Sequence, residues 1–332
     1  MRGKPHLHWW TSGAARSGSF GVLTDRPQRL EENFRSMGGP ARLVIIGTPE
    51  QKLDLGSVAH QVRTLLEALE ARYSRYRAES IVSVINQRAG SSVFTEVDPE
   101  TRALLALAGQ LWDASGGLFD ITSGPLRRAW DFRADGNADT AQIDSALALV
   151  GWEQIEWRAS SLHLPNPGME IDLGGLAKEY AADSAISLMR NLKVTSAMIE
   201  LAGDVATIGN GDNALPWRVG IQDPDIAGSL CTVQLSNAAI ATSGNYARRV
   251  DFEGKQYGHL LNPKTGWPVE GPTSVSVLDS HCLTAGAVAT VACLHAEKDA
   301  RAWLEHAALP WLMVSSTGKR SGSIADQIAA PA

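Results

Sequence analysis

Short β-like runs and helical patterns alternate along this 332-residue chain without a regular period. Apolar residues recur at helical spacing in residues 53–69 and 101–114, and β-like runs occur at residues 42–46, 231–235 and 310–314. No internal repeat of solenoid length is visible. Helices and strands that interleave irregularly predict a compact α+β fold.

The charge and the cysteine content exclude several classes of protein. The formal net charge is -6 at pH 7, so no broad basic surface is available for sequence-independent binding of nucleic acid. The cysteines Cys231, Cys282 and Cys293 lack CxxC spacing, which predicts buried thiols rather than a disulfide framework or a zinc site. A hydrophobic content of 44% lets a chain of this length bury a large core.

The two ends of the chain lack periodic patterns. Residues 1–36 are rich in glycine, arginine and serine, so we expect a flexible N-terminal arm before a domain at residues 37–318 and a flexible tail at residues 319–332. A signal peptide contains an apolar run of roughly 7–15 residues, and the N-terminal stretch of this sequence contains no such run. No segment reaches the roughly 20 apolar residues of a membrane span. We therefore expect no transmembrane segment and a cytoplasmic protein, or a periplasmic one if an upstream leader is missing.

One stretch in the second half of the chain combines unusual polar groups. Thr242, Ser243 and Gly244 offer two hydroxyl groups beside a glycine that lets backbone amides approach a ligand. His259 follows on an apolar strand, and a sharp turn begins at Asn262. Taken alone, a histidine on such a strand is more often a hydrogen-bonded structural residue than a catalytic one, and corners and turns are ordinary features of strand ends.

Three other features are candidates for ligand binding, each with a structural alternative. The glycine pair at 174–175 precedes a helix whose N-terminal amides suit phosphate, although such a corner also allows tight packing. Tyr76 and Arg77 could stack a planar ring, or they could cap an edge of the core. Asp120 lies where a short strand is predicted to run into a turn, and its carboxylate either orders that turn or anchors a ligand.

Several segments, taken together and in order, carry a specific resemblance to a known family. The segments are SRYRAESIVSVIN, SGGLFDITSGPLRRAW, IDLGGLAKEYAAD, IELAGDV, and ATSGNYARRV followed by YGHLLNPKTGWPV and TAGAVAT. Their joint order and spacing resemble the ApbE-type flavin transferases, which are FAD:protein FMN transferases. The resemblance covers residues 37–314.

The resemblance implies a fold, a substrate and a reaction. It implies an α+β fold with FAD in a cleft, and transfer of the FMN portion of FAD to a Thr or Ser side chain of a target protein. The product is a phosphoester, and AMP is released. Attack of a neutral hydroxyl group on a pyrophosphate requires charge neutralisation, positioning and removal of a proton.

The resemblance also implies roles for individual residues. His259 matches the histidine that assists the attacking hydroxyl, since imidazole can accept a proton near neutral pH. Lys178 matches a lysine whose ammonium could hold a phosphate or a ring oxygen of the cofactor. Asp204 orders the pocket, touches the cofactor, or belongs to a purely structural turn, and the sequence leaves these alternatives open. The residues at positions that contact FAD in the family are Met37, Asp120, Thr242, Ser243 and Gly244. Tyr76, a lesser candidate for stacking, completes the predicted cofactor-binding set together with Lys178 and Asp204.

The last motif departs from the family at a metal ligand. Family members commonly place an Asp four residues before a Thr, and these two side chains help to hold Mg²⁺. Here Thr290 is present, but Gly286 occupies the position of the Asp. Magnesium prefers hard oxygen ligands and usually takes one or two carboxylates. The departure predicts weakened or absent Mg²⁺ binding, and it predicts that Gly286→Asp raises Mg²⁺ affinity.

A metal shell could still be rebuilt from other groups. The candidates are Thr290, the backbone carbonyl near Ala177, phosphates of the cofactor, and Asp279 or Asp204. Two smaller departures are Glu179, where the family usually has Gly, and Asn262, where it usually has Asp. We interpret Glu179 as a residue that favours the helix and Asn262 as one that keeps the turn without the charge.

Three functions remain open from the sequence. The first is an active Mg²⁺-dependent FMN transferase, whose partners are FAD and a flavin-accepting protein and which binds no nucleic acid. The second is a protein that binds FAD but has weak or no transferase activity, because the carboxylate at Gly286 is missing. The third is a non-catalytic structural or interaction protein on the same scaffold.

Overall fold

An antiparallel sheet lies at the centre of the computed structural model, which describes residues 28–48, 53–130, 140–245, 249–252 and 255–325. The strands are, in chain order, β1 (Gln28–Ser36), β2 (Gly39–Gly47), β3 (Thr95–Glu96), β4 (Glu156–Arg158), β5 (Ser161–His163), β6 (Ala197–Leu201), β7 (Asp204–Ile208), β8 (Trp217–Gln222), β9 (Ser229–Leu235), β10 (Ala239–Gly244), β11 (Arg249–Phe252), β12 (Lys255–Gly258), β13 (Ser274–Asp279), β14 (Trp311–Val314) and β15 (Arg320–Ser321). The helices are, in chain order, α1 (Leu55–Tyr73), α2 (Ile81–Gln87), α3 (Pro99–Ala114), α4 (Leu126–Ala129), α5 (Thr140–Leu147), α6 (Ala177–Asn191), α7 (Cys282–Leu294) and α8 (Glu297–Ala307). Within the described residues the sheet has eight strands in the spatial order β1–β2–β6–β7–β10–β13–β14–β15, and every neighbouring pair is antiparallel.

Each face of this sheet is covered by a different layer. Along β2, Leu43 and Ile45 face the side that α1, α6 and α7 fill, whereas Val44 and Ile46 pack with the β8–β9 hairpin. The alternation arises because successive side chains of a strand point to opposite faces of the sheet. A mixed architecture with helices on one face and a hairpin on the other confirms the predicted α+β fold.

The ordered chain begins earlier than the sequence predicts. Gln28–Ser36 form the edge strand β1, so the expectation that residues 1–36 are a flexible arm is wrong for these nine residues. Met37 and Gly38 connect β1 to β2 with φ angles of 52° and 75°, a combination typical of two-residue hairpin turns. Leu30 and Phe34 pack on the core, while charged residues alternate with them and obscure the strand pattern. Residues 1–27 lie outside the described part of the chain.

The C-terminal boundary also differs from the prediction. Within the expected tail at residues 319–332, Arg320 pairs with Val314 in a short strand, and Ile324 is buried with only 2% of its surface exposed. Ile324 packs in the same cluster as Val44. A strand of two residues and a single buried apolar side chain produce no periodic pattern, so the sequence does not reveal them. Residues 326–332 lie outside the described part of the chain.

The region around Asp120 contains turns instead of the predicted short strand. Asp120 and the residues after it form a series of turns that ends in the four-residue helix α4. An isolated bridge joins Glu170 to Ser123 in parallel. A backbone hydrogen bond from the Asp172 amide to the Ile121 carbonyl, at 2.8 Å, also joins the two segments.

Helix α6 holds the N-terminus of α7. The Asp183 carboxylate accepts hydrogen bonds from the backbone amides of Cys282 (2.8 Å) and Leu283 (2.9 Å), the first two residues of α7. These amides have no partner inside the helix, and burial raises the pKa of Asp183. Although α7 is strongly apolar, neither it nor any other helix in the described residues has the length and hydrophobicity to span a membrane.

The three cysteines are not equally buried. Cys282 and Cys293 are buried on α7, and burial raises the pKa of both thiols, that of Cys293 to about 12. Cys231 is half-buried on β9. The expectation of three buried thiols is therefore wrong for Cys231, which lies on the exposed hairpin rather than under a helix.

Candidate active site

Several predicted site residues meet at one end of the large sheet. Strand β7 begins there at Asp204, opposite the last residue of β6. Strand β10 runs toward the same end, because Ile240 pairs with Val205 and the strand continues to Gly244. The Met37–Gly38 turn lies at this end as well. The backbone amide of Ala202, two residues before Asp204, donates a hydrogen bond to the carbonyl of Pro40, two residues after that turn.

Asp204 joins strand β10 to helix α6. Its side chain is 2% exposed, and its Oδ1 atom accepts a hydrogen bond from the Thr242 backbone amide at 3.0 Å. Its Oδ2 atom forms an ion pair with Lys178 Nζ, which also lies 2.9 Å from Glu179 Oε1. The sequence left open whether Asp204 orders the site, and this geometry shows that it fixes both Lys178 and the backbone of Thr242.

Two hydroxyl contacts attach the Thr-Ser corner to its neighbours. Thr242 Oγ1 lies 2.8 Å from Ser276 Oγ on β13, and Ser243 Oγ lies 2.6 Å from Thr290 Oγ1 on α7. The thiol of Cys293 contacts the Ser243 carbonyl oxygen at 3.4 Å. The structure therefore brings together the predicted cofactor residue Ser243 and the predicted metal ligand Thr290, which are far apart in the chain.

The carboxylate of Glu179 lies over Gly286. A β-carbon placed on Gly286 would lie 3.1 Å from Cδ and 3.2 Å from Oε1 of Glu179, and closer still to Cγ. Glu179 is 6% exposed, and its Oε2 atom is buried with no hydrogen-bond partner among the described residues. The interpretation of Glu179 as a simple helix former is therefore incomplete, because its side chain fills the space that a larger residue at 286 would need.

This packing removes the basis for expecting that Gly286→Asp raises Mg²⁺ affinity. We expect the single substitution to lower the free energy of unfolding by about 1–3 kcal/mol, because the new side chain overpacks the site and places a second carboxylate beside Glu179. Urea denaturation of the wild type and the variant measures the difference. Removing the obstruction in Glu179→Gly/Gly286→Asp should recover most of the loss, whereas an unchanged midpoint for the single variant would show that the site has room.

The His259 segment is attached to the end of β10 through Asn245. Asn245 Oδ1 accepts a hydrogen bond from the Leu260 backbone amide at 3.2 Å, and the Leu260 carbonyl accepts one from the Val269 amide at 2.9 Å. His259, half-buried directly after β12, therefore lies in a segment that is held beside the Thr-Ser-Gly corner. The predicted turn follows at Asn262, whose carbonyl accepts from the Gly266 amide at 2.8 Å.

A cluster of three aromatic rings supports this segment from the other side. The rings of Trp130, Tyr257 and Trp267 have centroids 5.2–6.3 Å apart. Trp130 Nε1 also donates a hydrogen bond to the Gly266 carbonyl at 2.8 Å. Because rings of this size bury a large area, the strand and the turn on both sides of His259 are anchored to α4 and α5.

Asp120 lies in a cleft that borders the turn after His259. The cleft is lined in part by Trp112, Gly117, Asp120, Gly151 and Lys264. Asp120 Oδ1 accepts from the backbone amide and the hydroxyl of its neighbour at position 122 (2.7 and 2.6 Å), and Oδ2 accepts from the backbone amide at position 152 at 3.1 Å. Burial raises the pKa of Asp120. The carboxylate orders a turn, and the turn forms a wall of the cleft.

Comparison with known proteins assigns the chain to a family. The sequence profile of the ApbE family matches residues 37–313. The chain belongs to the ApbE family. A curated relative from Vibrio cholerae, named FAD:protein FMN transferase, is 29% identical over 271 residues, which are 80% of this chain and 81% of the relative.

Solved ApbE structures share the fold. The crystal structure of the ApbE protein from Thermotoga maritima is similar with a TM-score of 0.81 and 28% identity, and the match covers 92% of this chain and 100% of that one. The flavin transferase ApbE from Vibrio cholerae is similar with a TM-score of 0.81 and 26% identity, covering 91% and 99% of the two chains. The predicted family membership is confirmed.

Two of the residues predicted from the ApbE resemblance lie apart from the network around Asp204. Tyr76 is 74% exposed, with the guanidinium of Arg75 at 5.9 Å from its ring, so it does not cap an edge of the core. Asp279 ends β13, whereas the site lies where β13 begins at Ser274. Asp279 Oδ1 instead accepts a hydrogen bond from the backbone amide of His281 at 2.8 Å. The prediction that Asp279 could help to rebuild the metal shell is therefore wrong.

One charged residue that was not among the predicted site residues, Arg75 of the SRYRAESIVSVIN segment, supports the glycine corner of this ApbE chain. Arg75 forms two ion pairs, from Nη2 to Glu170 Oε2 at 2.7 Å and from Nη1 to Asp172 Oδ2 at 3.0 Å. All three side chains are largely buried. Asp172 in turn accepts a hydrogen bond from the Gly174 amide at 2.8 Å, so one amide of the glycine pair is already occupied. The signal in the sequence is an arginine next to Tyr76, which is too common to be informative.

Proposed function

We propose that this protein is an FAD:protein FMN transferase, which transfers FMN from FAD to a Thr or Ser side chain of a target protein and releases AMP. The observation that carries the proposal is the continuous network from Lys178 through Asp204 to Thr242, with Ser243 bound to Thr290 beside it. The His259 segment borders this network. Family membership over most of the chain supports the same reaction.

The residues that would bind FAD have distinct tasks. Lys178 presents an ammonium that can neutralise a phosphate or hold a ring oxygen. Asp204 acts through others, because both of its oxygens are engaged by Lys178 and by the Thr242 amide. Thr242, Ser243 and Gly244 offer polar edges at the end of β10. The full proposed set is Met37, Tyr76, Asp120, Lys178, Asp204, Thr242, Ser243 and Gly244.

His259 would act as the general base. The acceptor hydroxyl oxygen forms a bond to the phosphorus of the FMN portion, the bond between that phosphorus and the AMP oxygen breaks, and the hydroxyl proton passes to the imidazole. An imidazole can accept this proton near neutral pH. The hydrogen bonds around Leu260 and the aromatic cluster at Trp130 hold the backbone that carries His259.

The oxygen donors near α7 fit a divalent cation. Thr290 Oγ1 and the carbonyl of Ala177 would hold Mg²⁺ together with phosphate oxygens, and Gly286 supplies no side chain. When bound, the cation neutralises charge that develops on the phosphates. Within the described part of the chain, no group of three or more His, Cys, Asp or Glu side chains is arranged to hold a metal.

The second candidate is an FAD-binding protein without transfer activity. The observation that favours it is Gly286, which lacks the carboxylate that the family resemblance implies at that position. The two candidates predict the same binding of FAD. They differ in whether AMP is released.

Transfer is tested with purified protein, FAD, Mg²⁺ and a flavin-acceptor domain that contains one acceptor threonine. We expect the mass of the acceptor to rise by one FMN unit and AMP to appear in equal amount. The matched control is the same acceptor with that threonine replaced by valine, which should gain no mass. Tight FAD binding without AMP or an adduct would favour the second candidate over the first.

A further inference from the structure

Two departures from the family pattern, far apart in the chain, meet in the structure. Glu179 on α6 stands where the family usually has Gly, and Gly286 on α7 stands where it usually has Asp. The Glu179 side chain lies directly over Gly286, with Cδ and Oε1 at 3.1 and 3.2 Å from a β-carbon built there. Relative to the pattern that the family resemblance implies, position 286 lacks a carboxylate and the residue that contacts it, Glu179, carries one.

The Glu179 carboxylate has an unused buried oxygen. The side chain is 7% exposed, Oε1 lies 2.9 Å from Lys178 Nζ, and Oε2 is buried without a hydrogen-bond partner among the described residues. A buried polar atom that lacks a partner is costly. A bound water or a ligand that reaches Oε2 would supply the missing partner.

Among the described residues, the charges around this oxygen do not balance. Lys178 supplies one positive charge to two buried carboxylates, those of Asp204 and Glu179. An excess of negative charge in a buried site is unfavourable unless another cation is present. A single ammonium therefore leaves this group one positive charge short.

Oxygen donors on α6 and α7 surround the Gly286 position that the carboxylate covers. Gly286 and Thr290 are four residues apart on α7 and so share one face of the helix. Thr290 Oγ1 is held by Ser243 at 2.6 Å. Ala177 precedes Glu179 by two residues at the buried start of α6. The carboxylate, the hydroxyl and the backbone carbonyl are all hard oxygen donors, which suit Mg²⁺.

We propose that Glu179 supplies, from α6, the carboxylate ligand for the divalent cation that α7 lacks at Gly286. The site has thus moved its carboxylate from one helix to the other and kept its volume filled. The inference rests on the proposed function, since the phosphates of FAD would complete the shell of the cation. It assigns Glu179, and not Asp279 or Asp204, as the residue that replaces the missing side chain.

The experiment measures binding of Mn²⁺, a paramagnetic substitute for Mg²⁺, by the electron paramagnetic resonance signal of the free ion in the presence of FAD. We expect Glu179→Gln, which keeps the shape and removes the charge, to weaken Mn²⁺ binding by roughly 10-fold or more, since even outer-shell partners of a metal contribute this much. The exchange variant Glu179→Gly/Gly286→Asp should restore most of the affinity. Glu305→Gln, which removes an exposed carboxylate on α8, should bind Mn²⁺ as the wild type does.

Several outcomes would overturn the proposal. The first is that the wild type shows no saturable Mn²⁺ binding. The second is that Glu179→Gln binds Mn²⁺ as tightly as the wild type. The third is that the exchange variant binds Mn²⁺ as weakly as Glu179→Gln. Circular dichroism melting shows whether each variant is folded. If a variant is unfolded, Glu179→Asp, which shortens the side chain and keeps the charge, is measured in its place. A failure of the proposed function is distinct, because Mn²⁺ would then bind through Glu179 while no AMP is released from FAD.

Discussion

Replacing His259 with alanine is expected to lower the rate of FMN transfer by about 10²–10⁴-fold, which is the usual contribution of a positioned general base. The affinity for FAD should change little, because the imidazole acts on the proton of the acceptor. The segment should keep its position, since its anchors are the backbone of Leu260 and the ring of Trp130. Single-turnover release of AMP measures the rate, and a separate fluorescence titration measures FAD binding.

The matched control is His60→Ala, which removes an exposed imidazole from α1 and should leave the rate unchanged. The pH profile adds a second readout. If His259 is the base, the wild-type rate should fall as acid protonates the imidazole, and the variant should lose this dependence. A variant that keeps the wild-type rate and profile would exclude His259 as the base.

Lys178→Met is expected to destabilise the protein by about 3–5 kcal/mol, the usual cost of removing one partner from a buried ion pair. The substitution leaves Asp204, whose side chain is 2% exposed, without its cation, and it also removes the charge next to Glu179. Asp204 would still accept the Thr242 amide, so part of the network should survive. Guanidinium denaturation measures the loss.

Two further variants test this explanation. Lys298→Met removes an exposed lysine from α8 and should change stability little. Lys178→Met/Asp204→Asn should be more stable than Lys178→Met alone, because the amide no longer places a charge in the buried position while its oxygen can still accept from Thr242. Equal midpoints for the two Lys178 variants would show that the buried charge is not the cause.

The parts of the fold that the sequence predicts correctly are those with long patterns. Helices α1 and α3 repeat apolar residues over several turns, so their period is clear even though their partners are not. Strand β1 is different, because Leu30 and Phe34 alternate with charged residues at the edge of the sheet, and the run resembles a polar arm. Ile324 secures the C-terminal end with one side chain, and a single residue has no period.

The candidate site is only partly predictable for a related reason. Motifs name Lys178, Asp204 and Thr290 as candidates, but they give no distances, and the contact between Glu179 and Gly286 joins two motifs that are remote in the chain. Asp279 shows the opposite error, because it is close to the last motif in sequence but lies at the far end of its strand. The motifs therefore name candidate residues, but closeness in the sequence does not show which of these residues lie next to each other in the fold.

The tight contact between Glu179 and Gly286 also constrains the order in which these two residues can be exchanged during evolution. A lineage that begins with glycine at 179 and aspartate at 286 has two possible intermediates. One carries both acidic side chains in a space that holds one, and it loses stability. The other carries two glycines, keeps the packing compatible with the fold, and loses only a carboxylate. Relatives with glycine at both positions are therefore the expected traces of this history.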